Sequence, residues 1–271
     1  MTTLKILYHQ LLLLSIISIF LQLKADDRWE EFKTEFNKSN FYLETERIQN
    51  FTCYITTDSF LNFSKQSADS VHRYPLKFVW MKGGKTFYIL QPYDHMIDEQ
   101  KSGETLEQIK NIKSEFQDFF YYWQFTAINS PVNNVPDSAE FRVTPDSLMC
   151  SYLLEDSNGK KKILKIFSST GFLEKLQISS NDQTVIVRPE YLKLEGKNFC
   201  NGWRTQIFQD SLVIEEIITR LKLEKIGSFQ LPKRVELEIL QPETSFEENR
   251  SVIFIGGFEF DLPLLEIKAP D

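Results

Sequence analysis

The chain has 271 residues and a net charge of −7, with 31 Lys and Arg against 38 Asp and Glu. That length allows one large domain or two small ones, and the acidic balance excludes a chain-wide basic surface for a nucleic-acid backbone. Hydrophobic residues make up an ordinary 42% of the chain, whereas the 23 Phe are unusual. We therefore expect a globular, phenylalanine-rich protein with no nucleic-acid partner.

The N-terminus has the pattern of a secretory signal peptide. Lys5 and His9 precede the apolar run of residues 11–21, which has signal-peptide length and is too short to favour a transmembrane span. Ala25 is the expected cleavage point, and an uncleaved membrane anchor is the alternative. We predict a signal peptide over residues 1–25 and one exported domain over residues 26–271, in the periplasm or cell envelope, or secreted where no outer membrane exists.

Export would place the three cysteines in an oxidising compartment. Cys53, Cys150 and Cys200 lie far apart and match no CxxC or metal-ligand spacing. Two interpretations stay open: one disulfide that leaves a single thiol, or three buried free cysteines.

Two short elements follow the predicted signal peptide. Trp29, Phe32 and Phe36 recur three and four residues apart, which predicts one face of a short helix. Residues 50–58 alternate and are rich in β-branched and aromatic side chains, which predicts a strand.

The sequence GGKT at residues 83–86 resembles the end of a phosphate-binding loop. Such a loop needs a glycine at position 79, where this chain has Val79. Gly83 and Gly84 instead predict a tight hairpin between two strands, because glycine tolerates the positive φ of primed turns.

Residues 104–123 give the clearest helix signal. Apolar residues recur there at steps of three and four and form one stripe, which consists of Leu106, Ile109, Ile112, Phe116, Phe119 and Trp123. Residues 130–138 then contain prolines and turn formers, which predict a loop within one domain.

From Phe141 onward the pattern predicts almost only strands. Asn158-Gly159 predicts a hairpin and Asn201-Gly202 another turn, while residues 209–217 are compatible with a short helix or a strand. With about ten strands in antiparallel succession and two helices, we predict a mainly β (α+β) fold. Its curved antiparallel sheet forms an incomplete β-barrel with a helical lid.

Groups suited to catalysis are few. After the signal peptide only His72 and His95 remain as histidines, neither in a recognisable catalytic motif. The acidic pairs are consecutive in sequence, so their carboxylates diverge on regular structure. We therefore predict no enzymatic activity, no cofactor and no metal site.

Aromatic side chains suggest a ligand pocket instead. We expect a strand pair to face the long helix across apolar space, with a packed core as the alternative. The predicted pocket residues are Phe78, Trp80, Phe87, Ile89, Phe116, Phe119 and Trp123.

Three segments carry a resemblance to the LolA-like family of periplasmic lipoprotein carriers. Residues 48–53 (IQNFTC) resemble the segment that opens the family's sheet, residues 75–80 (PLKFVW) its Pro-x-x-Phe-Arg-Trp strand, and Leu231-Pro232 its closing Leu-Pro strand. The resemblance spans most of residues 29–262. It implies a half-barrel with a helical lid, a hydrophobic cavity and no cofactor.

The same resemblance implies the partners. A monomer that binds a lipid or an acylated protein, and that meets a membrane-bound partner, is the expectation. The family has an Arg before the Trp, which holds the lid closed and helps release cargo, whereas this chain has Val79. We therefore expect a distant relative, and an interaction or envelope-sensing protein with a filled core is the alternative.

Overall fold

The structure is a computed structural model that describes residues 28–66, 73–91, 99–156, 159–180, 182–240 and 249–263. The predicted signal peptide, with its cleavage point, and both His72 and His95 lie outside these residues. Within the described ranges, no helix combines the length and the apolar character that crossing a bilayer requires.

One antiparallel sheet of twelve strands forms the body of the protein. Its strands are β1 (Asn50–Thr57), β2 (Leu76–Met81), β3 (Lys85–Leu90), β4 (Glu140–Val143), β5 (Ser147–Asp156), β6 (Gly159–Ser168), β7 (Leu173–Ser179), β8 (Gln183–Leu194), β9 (Lys197–Gln209), β10 (Leu212–Ile226), β11 (Phe229–Leu240) and β12 (Asn249–Phe260). Their order is β3-β2-β1-β12-β11-β10-β9-β8-β7-β6-β5-β4, so β3 and β4 are the two edges. The sheet is therefore an unclosed barrel, which confirms the predicted fold class.

In the described part of the chain, three α-helices accompany the sheet. They are α1 (residues 28–39), α2 (Asp58–Gln66) and α3 (Glu99–Trp123). A 3-10 turn at Leu43–Thr45 follows α1, and a π-helical turn at Gln124–Ile128 extends α3. Helices α1 and α3 confirm two predictions, whereas α2 was not predicted.

Helices α1 and α3 cover the concave face of the sheet. On α3, Phe116 lies 4.9 Å from Phe78 of β2, and Phe119 lies 5.7 Å from Trp203 of β9, between ring centroids. Because four strands separate β2 from β9, contact with both requires the sheet to curve around α3. Helix α1 covers the other half, where Trp29 lies 4.7 Å from Phe141 of β4. The helical lid is thus confirmed as a structural feature.

The predicted hairpin joins β2 to β3. Gly83 and Gly84 have φ values of 95° and 85°, and the Gly84 amide donates to the Met81 carbonyl at 3.0 Å. A strand rather than a helix follows the turn, so the segment is not a phosphate-binding loop.

One detail of the β-rich half differs from the prediction, and one open alternative is resolved. Asn201-Gly202 is not a turn but lies inside β9, where a Cβ on Gly202 would sit 2.4 Å from the Thr219 carbonyl oxygen. Glycine is needed there for close approach of β10, not for a change of direction. The next turn is at Asp210-Ser211, with φ values of 49° and 71°, and residues 212–217 belong to β10.

All three cysteines are buried and free. Of the two open interpretations, the structure therefore supports buried free thiols.

Candidate ligand-binding site

Five of the seven predicted pocket residues lie together under α3. They are each at most 2% exposed, and they are Phe78, Trp80, Phe116, Phe119 and Trp123. Trp80 stacks on Phe51 at 5.3 Å, and Phe51 contacts Trp123 at 6.1 Å, so the rings form one continuous group. We call these five residues and Phe51 the aromatic cluster.

Phe87 and Ile89 lie on the opposite face of the sheet from the aromatic cluster. Their cross-strand partners are Val79 and Lys77, whereas Phe78 pairs with Tyr88. The prediction assumed a two-residue turn at Gly83-Gly84, but the turn has three residues because Met81 pairs with Lys85. A shift of one residue turns every side chain of β3 to the other face.

Tyr88 takes the place that was predicted for Phe87 and Ile89. Its ring lies 5.3 Å from Phe78 and 6.3 Å from Phe116. The sequence signal for Tyr88 was its alternation with Phe87 and Ile89, but alternation alone does not set the register of a hairpin.

Among the described residues, the space beside Trp123 of the aromatic cluster is small. A void of about 10 Å³ adjoins Trp123, with Leu43, Phe199 and Leu231 among its lining residues. That volume accommodates at most one water molecule. In this conformation the cluster is packed as a protein core.

A larger space opens under the other half of the barrel. It has a volume of about 500 Å³ and lies between the segment of residues 125–136 and strands β5 to β7. Tyr152 of β5 and Leu173 and Leu176 of β7 line it from the sheet, and Phe125 lines it from the segment. We call this space the β5–β7 cleft.

Hydrogen bonds fix the loop that forms one wall of the cleft. The Ser130 amide donates to Glu44 Oε2 at 2.9 Å, and the Ser130 hydroxyl donates to Asn37 Oδ1 at 2.6 Å. Asn37 Nδ2 donates to Asn133 Oδ1 at 3.1 Å. The wall is therefore attached to α1 and to the 3-10 turn, which makes the cleft a preformed space.

Among the described residues that line the cleft, Lys165 is the charged one. It points inward from β6 between Ile163 and Phe167 and is only 6% exposed. Its Nζ donates to the Pro131 carbonyl oxygen at 2.7 Å and lies 5.3 Å from the ring centroid of Tyr152. Burial lowers the pKa of Lys165 to about 8.

Sequence reasoning missed both Lys165 and the cleft. The signal for Lys165 was its place at an apolar position of the alternating run KILKIFS, where a lysine breaks the pattern. The cleft itself has no local signal, because its two walls come from segments far apart in sequence.

A second groove, of about 430 Å³, lies at the turns between β7 and β8 and between β9 and β10. Gln183, Thr184, Asp210 and Ser211 are among its lining residues, together with Phe208. This groove is more polar and more open than the β5–β7 cleft, so it suits an apolar ligand less well.

Groups suited to catalysis are also few in the described part of the chain. Those residues contain no set of three or more His, Cys, Asp or Glu placed to hold a metal ion. Burial raises the pKa of Cys150 and of Cys200 to about 11, so both thiols stay protonated at neutral pH.

No family model, no curated protein and no solved structure matches this chain. The resemblance to LolA-like carriers therefore stays a hypothesis that depends on the quoted motifs.

Proposed function

We propose that the protein is an exported, non-enzymatic lipid-binding protein that holds an acyl chain in the β5–β7 cleft. The observation that carries this proposal is the preformed, mainly apolar space of about 500 Å³ on the concave face of an unclosed barrel. Small-molecule sites have volumes of about 300–1,000 Å³ and mostly apolar linings. Each buried CH₂ group of a ligand contributes about 0.8 kcal/mol without needing a polar partner.

The mouth of the cleft supports an apolar ligand. Leu154 lines it from the same face of β5 as Tyr152 and is 45% exposed. A bound acyl chain would remove part of this apolar surface from water, which is favourable.

The cargo we propose is a free lipid or the acyl group of an acylated protein, exchanged with a membrane-bound partner. The LolA-like resemblance supports the class of ligand that we propose. It does not support the family's mechanism of cargo release, because Val79 replaces the family's gating Arg. The protein would act as a monomer that binds one acyl chain in its cleft.

An interaction protein with a filled core is the second candidate function. The packed aromatic cluster favours it, because the described rings contact one another and fill the space between them. The two functions differ in one respect that can be measured, which is saturable binding of an acyl probe.

The test is a titration of the purified protein with a fluorescent acyl probe, compared with a variant whose cleft is filled. Leu176→Trp adds bulk to the cleft wall, and Leu212→Trp makes the same change at an exposed position of β10. We expect saturable binding of one probe per chain, weakened at least about tenfold by Leu176→Trp and unchanged by Leu212→Trp.

Circular dichroism and thermal unfolding check that both variants fold, because added bulk can cost about 1–3 kcal/mol where it does not fit. Absence of saturable binding by the parent protein would refute the lipid-binding function and favour the interaction protein. Equal probe affinity of the parent and both folded variants would show that the ligand binds outside the cleft.

A further inference from the structure

We propose that Lys165 is the headgroup site of the β5–β7 cleft and that it selects an acyl chain ending in a carboxylate, as in a long-chain fatty acid. This inference rests on the proposed function, which supplies the acyl ligand. It adds the chemical class of that ligand and the residue that recognises it.

Lys165 is a buried cation that has no counterion among the described residues. An ammonium group has three N–H donors, and Lys165 uses one of them for the Pro131 carbonyl oxygen, at 2.7 Å. Among the residues that the structure describes, no carboxylate lies within 4.0 Å of Nζ. A buried charge that is not paired is unfavourable, and a ligand carboxylate would supply both the missing charge and acceptors.

Other lysines of the chain show the contrast. Lys77 contacts Glu259 at 3.3 Å, Lys197 contacts Glu46 at 3.1 Å, and all four of these side chains are more exposed than Lys165. Lys77 and Lys197 each have an acidic partner although both are partly accessible to water. Lys165 has neither full solvation nor such a partner, which is the arrangement expected of a binding group.

The cationic end of Lys165 faces the cleft. Lys165 lines the cleft together with Leu173 and Leu176 of the neighbouring strand, and Pro131 of the opposite wall holds its Nζ. A fatty acid matches this pairing of one cation with apolar walls, because it has one anionic group and an otherwise apolar chain. Its carboxylate would accept from Nζ while its methylene groups contact the leucines.

Lys165 is charged at neutral pH. The pKa of Lys165 is about 8 in the absence of ligand, so the ammonium form predominates at pH 7. A carboxylate next to Nζ favours that form further.

The experiment compares three ligands with the same saturated chain, each below its critical micelle concentration: a fatty acid, the matching fatty alcohol and the matching alkyl phosphate. Each displaces a fluorescent acyl probe at pH 7 from the parent protein, from Lys165→Met and from Lys162→Met. Lys162 lies on the same strand and is exposed, so it is the matched control.

We expect the parent and Lys162→Met to bind the acid at least about tenfold tighter than the alcohol, since hydrogen bonds between charged groups are the stronger ones. Lys165→Met should bind acid and alcohol equally and should keep the alcohol affinity of the parent. The phosphate should bind no tighter than the acid.

The failures are distinguishable. If the parent binds no acyl ligand, the proposed function fails. If it binds acid and alcohol equally, the headgroup assignment is overturned and the proposed function stands. If it prefers the phosphate, the carboxylate assignment is overturned. The comparison of ligands in the parent protein decides the inference even where Lys165→Met does not fold.

Discussion

Burial of Lys165 couples the stability of the ligand-free protein to pH. Its pKa is about 8 in the folded protein and about 10.4 in an unfolded chain. Between these values the unfolded state binds more protons than the folded state, so the free energy of unfolding rises with pH. Below pH 8 both states are protonated, and the full cost of burying the charge is present.

We predict that the parent protein gains stability relative to Lys165→Met by about 2 kcal/mol between pH 7 and pH 9.5. Denaturant unfolding of both proteins across this range measures the difference. The titratable groups that face Lys165 are Cys150 and Tyr152 on β5, with pKa values raised to about 11 and about 12.

Both proteins keep Cys150 and Tyr152, so their contribution largely cancels in the comparison. Described residues 129–136 of the opposite wall and the inward positions of β7, Leu173 and Leu176, add no titratable group. A difference that stays flat with pH would show that Lys165 is solvated rather than buried.

The hairpin at Gly83-Gly84 shows how far sequence goes at the scale of residues. A pair of glycines predicts a turn, because positive φ is costly for other residues. The structure has that turn. The number of turn residues depends on which carbonyl closes the loop, here Met81. The closing residue sets the register of the two strands. In this register Tyr88 faces the interior, and Phe87 and Ile89 face the other side of the sheet.

Helix α3 is the element that the sequence predicts best and the one that fills the interior. Ile109, Ile112 and Phe116 are buried as the periodicity predicts, whereas Leu106 is 43% exposed and Thr105 is buried in its place. Periodicity identifies a stripe but not its borders, because the shape of the facing sheet decides which flanking residues it covers.

We predict that Phe119→Ala costs about 3–5 kcal/mol of unfolding free energy, the usual cost of a large cavity in a packed core. Phe119 stacks on Trp123 at 5.5 Å and on Trp203 at 5.7 Å, so few neighbours can move into the space. Denaturant unfolding measures the cost, and Leu106→Ala on the same helix is the control, with a change within about 0.5–1 kcal/mol.

Acyl-probe binding by folded Phe119→Ala should match that of the parent protein, because the β5–β7 cleft does not include Phe119. A loss of stability below about 1 kcal/mol, combined with altered probe affinity, would contradict this account. That result would indicate that the ligand binds at the aromatic cluster.

Other elements show the limit of local patterns. Helix α2 (Asp58–Gln66) was not predicted, although Phe60 and Phe63 have the three-residue spacing of one helix face. Asn201-Gly202 was misassigned because the glycine serves close contact with Thr219. There a tertiary contact, and not local propensity, decided the outcome.

At the scale of the whole molecule, one open sheet encloses two different interior regions, the aromatic cluster and the β5–β7 cleft. The edges β3 and β4 are consecutive strands, and the connection between them contains α3 and the segment of residues 125–136. One part of that connection fills the concave face with the aromatic cluster, and the other forms a wall of the β5–β7 cleft. The alternating strand patterns predict such a sheet, but they do not predict which half stays open.

The central claim is that an acyl chain occupies the β5–β7 cleft. Photo-crosslinking with a fatty acid that has a diazirine in the middle of its chain tests it most directly, with adducts located by peptide mass spectrometry. We predict one adduct per chain, within residues 125–136 or strands β5 to β7, and competition by unlabelled fatty acid. Adducts on α3 or on β1 to β3, or labelling no higher than that of the denatured protein, would contradict the claim.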